Sequence, residues 1–196
     1  MGEDCGEGAA RVVWAFERYA HCSSALPMPS AFDQVLHEHR LRPEALLARS
    51  FRARGEIDPE TYAEFRVALL RRLAIEQDVL IPAATRLRRG KALPTQAQLH
   101  LDHLALTALL VPPPTLIIVT AIRAILAAHD ARETGPGGLY DLCAGLADED
   151  ADALLTRLHA MPDPAAPRQA RGRGVMQSIR RALTRAGYDL RNYEPG

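Results

Sequence analysis

The sequence predicts an all-α protein built around four long helices that pack as a bundle. Aromatic residues make up only 5% of the 196 residues, whereas apolar residues make up 47%. The core therefore has to consist mainly of leucine, alanine, valine and isoleucine, which suits packed helices better than a β-sandwich. Long segments with apolar residues at helical spacing favour the same fold class, and no segment has the useful length of alternating pattern that a strand requires.

Capping residues and prolines predict where the four helices begin. Ser30 is a suitable N-cap for the first helix, and Asp-Pro-Glu at 58–60 is a strong start for the second. A Pro-Thr pair at 94–95 begins the third, and Thr115 begins the fourth, directly after the proline triplet 112–114. We expect the four helices to end near Arg52, near Arg88, at the proline triplet and at the glycine-rich stretch 135–138.

We expect the chain to divide into three parts. Residues 1–29 form an acidic, weakly helical N-terminal segment, and residues 30–161 form the bundle with short extra helices at its C-terminal side. These short helices are expected over 139–146 and 150–161. Residues 162–196 form a linker rich in proline and arginine, followed by a basic C-terminal segment.

The net charge of the chain gives no support to two classes of partner. There are 24 basic and 24 acidic residues, so the formal net charge is zero. This balance gives no case for binding nucleic acid or an anionic membrane. Arginines are concentrated in a short amphipathic helix expected over 175–186, which could dock on a protein partner or lie in solvent.

Cysteines and hydropathy predict a cytoplasmic protein. Cys5, Cys22 and Cys143 are far apart and show no disulfide framework, and the acidic start lacks the basic region of a signal peptide. The longest uncharged run, 104–122, is interrupted by the three prolines at 112–114. It therefore predicts two helices that meet at a turn, and not a membrane span.

Each long helix carries a histidine, a glutamate or both within the apolar stripe that its 3.6-residue period defines. The first helix has His39, the second Glu76 and the third His103, while the fourth has both His129 and Glu133. Taken singly, a core histidine is more often hydrogen-bonded than metal-ligating, and a lone glutamate can pair with an arginine.

Taken together, these five residues predict a metal site. Buried ionised carboxylates are costly without a partner, and three histidines and two glutamates that converge from four helices need a common one. A divalent cation supplies it, because neutral imidazole and carboxylate are its usual ligands. Imidazoles and carboxylates without a thiolate suit iron or manganese better than zinc, as a single ion or as a pair bridged by the glutamates.

Four stretches, in order, resemble the hemerythrin-like (HHE cation-binding) family over about residues 30–146. The most specific of them joins the His-x-x-x-Glu pair to a glycine-rich exit and a following tyrosine, Tyr140. The stretches are LHEHR around His39, LLRRLAIEQDVLIPA around Glu76, LHLDHLALTALLVP around His103 and ILAAHDARETGPGGLYDLC around His129 and Glu133. The resemblance implies an antiparallel, up-down four-helix bundle that encloses a non-haem di-iron centre. The metal ligands that it implies are His39, Glu76, His103, His129 and Glu133.

The sequence departs from the family pattern at Arg72, four residues before Glu76, where the resemblance implies a further histidine ligand. A guanidinium is a permanent cation and cannot ligate a metal. Three outcomes are open at this point. The site holds one iron with Arg72 as a counter-charge, or His100 substitutes and two irons remain, or Arg72 pairs with Glu76 or Glu133 in a metal-free core.

The expected function is iron-dependent binding or sensing of a small diatomic ligand or oxidant, such as O2, NO or peroxide. A missing protein ligand leaves an open coordination position for such a molecule. An iron-dependent oxidase or an iron donor in cluster repair is the alternative on the same scaffold, but no catalytic residue is identified, so binding is favoured over enzyme activity. A third hypothesis is a metal-free interaction module that uses the basic C-terminal segment.

Overall fold

The described part of the chain is all-α. The structure, a computed structural model, describes residues 30–52, 56–144, 146 and 148–193. Within these ranges the paired extended residues are limited to one antiparallel bridge, between Phe51 and Ile57. The prediction of an all-α protein is confirmed for them. The segment 1–29, expected to be acidic and weakly helical, lies outside the described residues.

Eight α-helices follow one another along the described residues. They are α1 (Ala31–Arg49), α2 (Pro59–Ile75), α3 (Ile81–Leu87), α4 (Gln96–Leu109), α5 (Leu116–Thr134), α6 (Leu139–Ala144), α7 (Asp148–Ala160) and α8 (Arg173–Arg185). A π-helical segment, Glu76–Leu80, joins α2 directly to α3, and a 3-10 turn, Leu190–Tyr193, follows α8. The second long helix of the sequence prediction therefore consists of α2, the π-helical segment and α3.

Side-chain caps confirm the predicted starts of the first two helices. The Ser30 hydroxyl accepts from the Asp33 N–H at 3.1 Å, and the Asp33 carboxylate accepts from the Ser30 N–H at 3.1 Å, which is a capping box. Asp58 caps α2 by accepting from the Thr61 N–H at 3.3 Å, and Pro59 is the first residue of that helix. Local signals thus set these boundaries.

The π-helical segment begins at Glu76, and Pro82 gives a physical reason for it. Proline has no N–H, so Pro82 cannot donate to the carbonyl of Asp78 in the α-helical pattern. The N–H of the preceding residue, Ile81, bonds to the Glu76 carbonyl, which is five residues back and not four. The Asp78 carbonyl accepts a hydrogen bond from the Arg157 side chain at 3.2 Å. A π-bulge of this kind changes the direction of the side chains that follow it.

Buried apolar side chains form two clusters. The first joins the end of α1 to α2, α4, α5 and α8, and the second joins the start of α1 to the π-helical segment, α3, α6 and α7. Along the chain, His129 and Glu133 follow Leu126 of the first cluster and precede Leu139 of the second. These two polar residues are themselves buried, so a buried polar stretch of α5 lies between the two apolar clusters.

The proline triplet separates two apolar helices, as predicted. Helix α4 ends at Leu109 and α5 begins at Leu116. Thr115 caps α5, because its hydroxyl accepts from the Ile118 N–H at 3.4 Å. Among the helices of the described ranges, none combines the length and the hydropathy that crossing a bilayer requires.

The C-terminal segment packs onto the preceding helices. Helix α8 contacts α4, and its Ile179 and Leu183 are buried in the first apolar cluster. Arg66 holds the stretch before α8, because its Nε donates to the Leu110 carbonyl at 3.1 Å and its Nη2 to the Pro167 carbonyl. The apolar side of the predicted basic helix is therefore covered within the chain, while the arginines on its other side are exposed.

Cys143 is expected to be unreactive in the native protein. Its thiol is 1% exposed on α6, and burial together with repulsion from Glu133 raises its pKa to about 12. At pH 8 such a thiol is about 10⁻⁴ thiolate, against about a quarter for an unperturbed cysteine. In a protein carrying Cys5→Ser and Cys22→Ser, an aromatic disulfide reagent should label Cys143 only in urea. Equally fast labelling in native buffer would contradict the burial.

Candidate metal centre

Three buried side chains on different helical segments bring their polar atoms together. Glu76 is the first residue of the π-helical segment, His103 lies on α4 and His129 lies on α5. One potential ligand atom from each lies within 4.8 Å of the other two. Among the described residues, these are the Asp, Glu, Cys or His side chains whose ligand atoms lie close enough together to hold a metal ion. It contains three of the five residues that the sequence predicts as ligands.

One oxygen of Glu76 faces both histidines. Its Oε2 lies 3.0 Å from His103 Nε2 and 3.1 Å from His129 Nε2. If the Nε2 atoms carry protons, both imidazoles donate a hydrogen bond to this oxygen. If they do not, the spacing suits ligands of one ion, since two atoms each ~2.1 Å from a metal and at right angles are ~3 Å apart. The geometry is compatible with both states.

Glu133 lies beside this group, one turn after His129. Its Oε1 is 3.4 Å from His129 Nε2, and it is buried without a hydrogen-bond partner in the protein. Its Oε2 accepts from Arg72 Nη2 at 2.7 Å. A buried carboxylate oxygen without a partner is costly. Because this oxygen has no partner and lies beside His129, Glu133 is a candidate fourth ligand.

Arg72 connects the buried carboxylates. It is 1% exposed, its Nε donates to Glu76 Oε1 at 2.7 Å, and its Nη2 donates to Glu133 Oε2 and to the Asp130 carboxylate. Its Nη1 donates to the Arg40 carbonyl on α1 at 3.3 Å. Arg72 thus pairs with both predicted glutamates and binds the oxygen of Glu76 that does not face the histidines.

The two glutamates differ in how well their negative charge is stabilised. Burial alone would raise the pKa of both. For Glu76, burial is outweighed by Arg72 and by hydrogen bonds from His103 and His129, which hold the pKa well below its usual range. For Glu133, burial and repulsion from Glu76 outweigh His129 and Arg72, so the pKa is raised. The charge of Glu133 therefore depends on the cations beside it.

The carboxylates around His129 favour its protonated form when no metal ion is bound. Burial lowers its pKa, but the nearby carboxylates of Asp102, Glu133 and Glu76 raise it to about 12 overall. To bind an ion, the ring would need an unprotonated Nε2 and would keep its remaining proton on Nδ1. Nδ1 lies 3.5 Å from Asp102 Oδ2. Protonation and metal binding are thus alternatives at this ring.

The structure does not bring His39 to the group. The side chain is half-buried on α1, where burial and the nearby charges of Arg71 and Arg42 lower its pKa. Helix α1 meets the buried charges through the Arg40 carbonyl, which accepts from Arg72. Helix α1 thus reaches Arg72 through a backbone atom, and His39 is not part of the group.

His100 also lies apart from the group. It is exposed on α4, one turn before the buried His103. Its Nδ1 is 3.5 Å from the side-chain oxygen of Gln77. The geometry therefore does not support His100 as the substitute for a lost ligand, because its ring lies on the outer side of the helix.

Asp102 is a buried residue of this region that the sequence analysis does not identify. It is 0% exposed and lies next to His129. Asp102 is the only Asp, Glu, Lys or Arg in α4, and an isolated acid in an apolar helix is a signal that could have found it. Tyr140, noted in the sequence only as part of the resemblance, lies with its hydroxyl 3.4 Å from Glu76 Oε1.

Comparisons with known proteins identify no relative of this chain. No protein-family model matches the sequence, and neither a curated protein nor a solved structure matches it. The resemblance to hemerythrin-like proteins therefore stays a prediction. Function has to be inferred from the chemistry of the site itself.

Proposed function

We propose that this chain is a hemerythrin-like protein that holds one non-haem iron and uses it to bind or sense O2, NO or peroxide. The supporting observation is the convergence of Glu76, His103 and His129, with one potential ligand atom of each within 4.8 Å of the others. Two imidazoles and one carboxylate suit ferrous iron and leave coordination positions open. In this proposal α1, α2 with α3, α4 and α5 form an antiparallel four-helix bundle.

Arg72 favours a single ion over a pair. The guanidinium lies 2.7 Å from both Glu76 Oε1 and Glu133 Oε2, the oxygens through which the two glutamates would reach a second ion. As a permanent cation it repels a dication at that position. The positive charge that a second iron would bring is thus supplied by a side chain.

The surrounding residues would protect the ion and tune its ligands. Iron supplies a redox-active Lewis acid that can bind a diatomic molecule. Leu106, Ile122 and Ile125 are 0% exposed and belong to the first apolar cluster, which in this proposal excludes bulk water from the ion. Arg72 favours the ionised form of Glu76, whose Oε2 would be available as a ligand, and His129 would hold the ion through an unprotonated Nε2.

His103→Gln is expected to abolish iron uptake, whereas His100→Gln is not. The two histidines are one turn apart on α4, but His103 faces Glu76 and His100 is exposed. After anaerobic reconstitution with Fe²⁺ and desalting, elemental analysis should find about one iron per chain in the wild type and in His100→Gln, and almost none in His103→Gln. His39→Gln should behave as the wild type.

Two results would contradict the proposal. One is a wild type that retains no iron after reconstitution. The other is an equal iron content in His103→Gln and His100→Gln, which would place the metal elsewhere.

Ligand binding separates sensing from simple metal storage. Iron-loaded wild type should change its near-ultraviolet and visible absorption when NO or O2 is admitted, and His103→Gln should not. Sustained consumption of peroxide or NO would instead support the oxidase alternative. Transfer of the iron to a cluster-free iron–sulfur protein would support the iron-donor alternative.

A metal-free helical module is the second candidate, and the pairing of Arg72 favours it. Arg72 already pairs with both Glu76 and Glu133, and the two histidines already contact Glu76. A core arranged in this way can hold its charges without an ion. The exposed arginines of α8 would then be the interaction surface. Absence of iron from reconstituted wild type would favour this candidate.

A further inference from the structure

Asp102 connects the candidate metal centre to the C-terminal end of the chain. It is buried on α4, one residue before His103. Its Oδ1 accepts from Gln98 Nε2 at 2.9 Å and from the Tyr188 hydroxyl at 3.0 Å, and its Oδ2 accepts from Arg132 Nη1 at 2.7 Å. These three donors restrain the position of both carboxylate oxygens.

The same Oδ2 atom faces the ring of His129. It lies 3.5 Å from His129 Nδ1, a buried nitrogen without a hydrogen-bond partner of normal geometry. The other ring nitrogen, Nε2, lies 3.1 Å from Glu76 Oε2. A carboxylate beside Nδ1 keeps a proton on that nitrogen, which leaves the lone pair of Nε2 for a metal ion.

We propose that Asp102 is a positioning residue of the metal centre: it sets the ring orientation and the tautomer of His129. Tyr188, in the C-terminal segment, holds Asp102 in place through its hydrogen bond. The inference rests on the proposed function, because the tautomer matters only if Nε2 binds an ion. The proposal also assigns a role to the region after α7, which is to supply the Tyr188 hydroxyl to Asp102, 86 positions earlier in the chain.

The partners of Asp102 suit this role because they preserve its charge. Gln98, Tyr188 and Arg132 all donate a hydrogen bond to the carboxylate, which favours its ionised form. Arg132 supplies a counter-charge and also donates to the Tyr188 hydroxyl at 3.2 Å. An amide of the same size would lack the charge that holds the Nδ1 proton, so asparagine is the informative substitution.

The test compares Asp102→Asn with Asp163→Asn. Both replace a carboxylate that pairs with an arginine, but Asp163 is exposed and pairs with Arg71. Zn²⁺ is the probe because it is diamagnetic, and its affinity is measured by competition with a chelating dye. Asp102→Asn is expected to weaken Zn²⁺ binding by about 10–100-fold, and Asp163→Asn to leave it unchanged.

The second readout is the His129 ring in nuclear magnetic resonance spectra of the Zn²⁺-loaded protein. The wild type should show a slowly exchanging proton on Nδ1 and a metal-bound Nε2. Asp102→Asn should lose or shift the Nδ1 proton signal, which a merely structural aspartate would not affect. If Asp102→Asn does not fold, Tyr188→Phe takes its place, with a smaller change expected in the same direction for both readouts.

The possible failures are distinguishable. Unchanged affinity together with an unchanged Nδ1 signal, in Asp102→Asn or in its replacement Tyr188→Phe, would overturn the positioning role and leave the metal centre intact. Absence of Zn²⁺ uptake by the wild type would overturn both proposals. This failure is seen in the wild type, without comparison with any variant.

Discussion

Arg72→Met is expected to lower the free energy of unfolding of the metal-free protein by about 3–5 kcal/mol. The guanidinium is buried and pairs with Glu76, Glu133 and Asp130, so its loss leaves buried carboxylates without a counter-charge. Methionine is long and flexible enough to fill much of the vacated space, so that the main loss is electrostatic. Urea unfolding in the presence of a chelator, followed by circular dichroism, measures the change.

Arg71→Met is the matched control for this substitution. Arg71 is the neighbouring residue on α2. It pairs with Asp163, which is 71% exposed, and donates to the Met161 and Leu158 carbonyls, so its loss should cost about 1–2 kcal/mol. Saturating Zn²⁺ should restore part of the stability of Arg72→Met, because an ion that binds only the folded state stabilises it. An Arg72→Met protein as stable as the wild type would show that the buried ion pairs do not stabilise the core.

Arg72→His is expected to raise the iron content from about one to about two ions per chain. The substitution removes the cation that binds Glu76 Oε1 and Glu133 Oε2. It also places an imidazole four residues before Glu76, on the same face of the helix. Elemental analysis of protein reconstituted with Fe²⁺ measures the count. Because His39 lies outside the group, the second ion should be held by fewer ligands and be lost first to a chelator.

Arg71→His controls for an added histidine on the same helix and should retain about one iron. A single iron in Arg72→His would mean that the second position lacks ligands for reasons other than the guanidinium. Two irons in the wild type would refute the proposal that Arg72 takes the place of the second ion.

Helix boundaries are predictable from this sequence because their causes are local. Ser30, Asp58 and Thr115 each accept a hydrogen bond from a backbone N–H of the helix that they begin. The proline triplet separates α4 from α5 for an equally local reason, the missing N–H groups. The π-helical segment is different, since Pro82 predicts a disturbance of the helix but not its form.

The candidate site is predictable only to the level of a helix face. Helical periodicity places Glu76, His103, His129 and Glu133 in apolar stripes, and all four are buried. The same periodicity places His39 in a stripe, although its side chain is half-buried and apart from the others. The apolar stripe predicts on which side of its own helix a residue lies. It does not predict how close the neighbouring helix comes at that residue.

The sequence by itself determines that an arginine, and not a histidine, stands one turn before Glu76, and the spacing of four makes the Arg72–Glu76 pair an expected one. Only the tertiary structure decides that this guanidinium also meets Glu133, 61 positions away, and that Tyr188 reaches Asp102, 86 positions away. The physical reason is that periodicity governs side-chain direction within one helix. Contacts between distant segments depend on how the whole core packs. That packing brings polar residues from different helices together in one buried cluster.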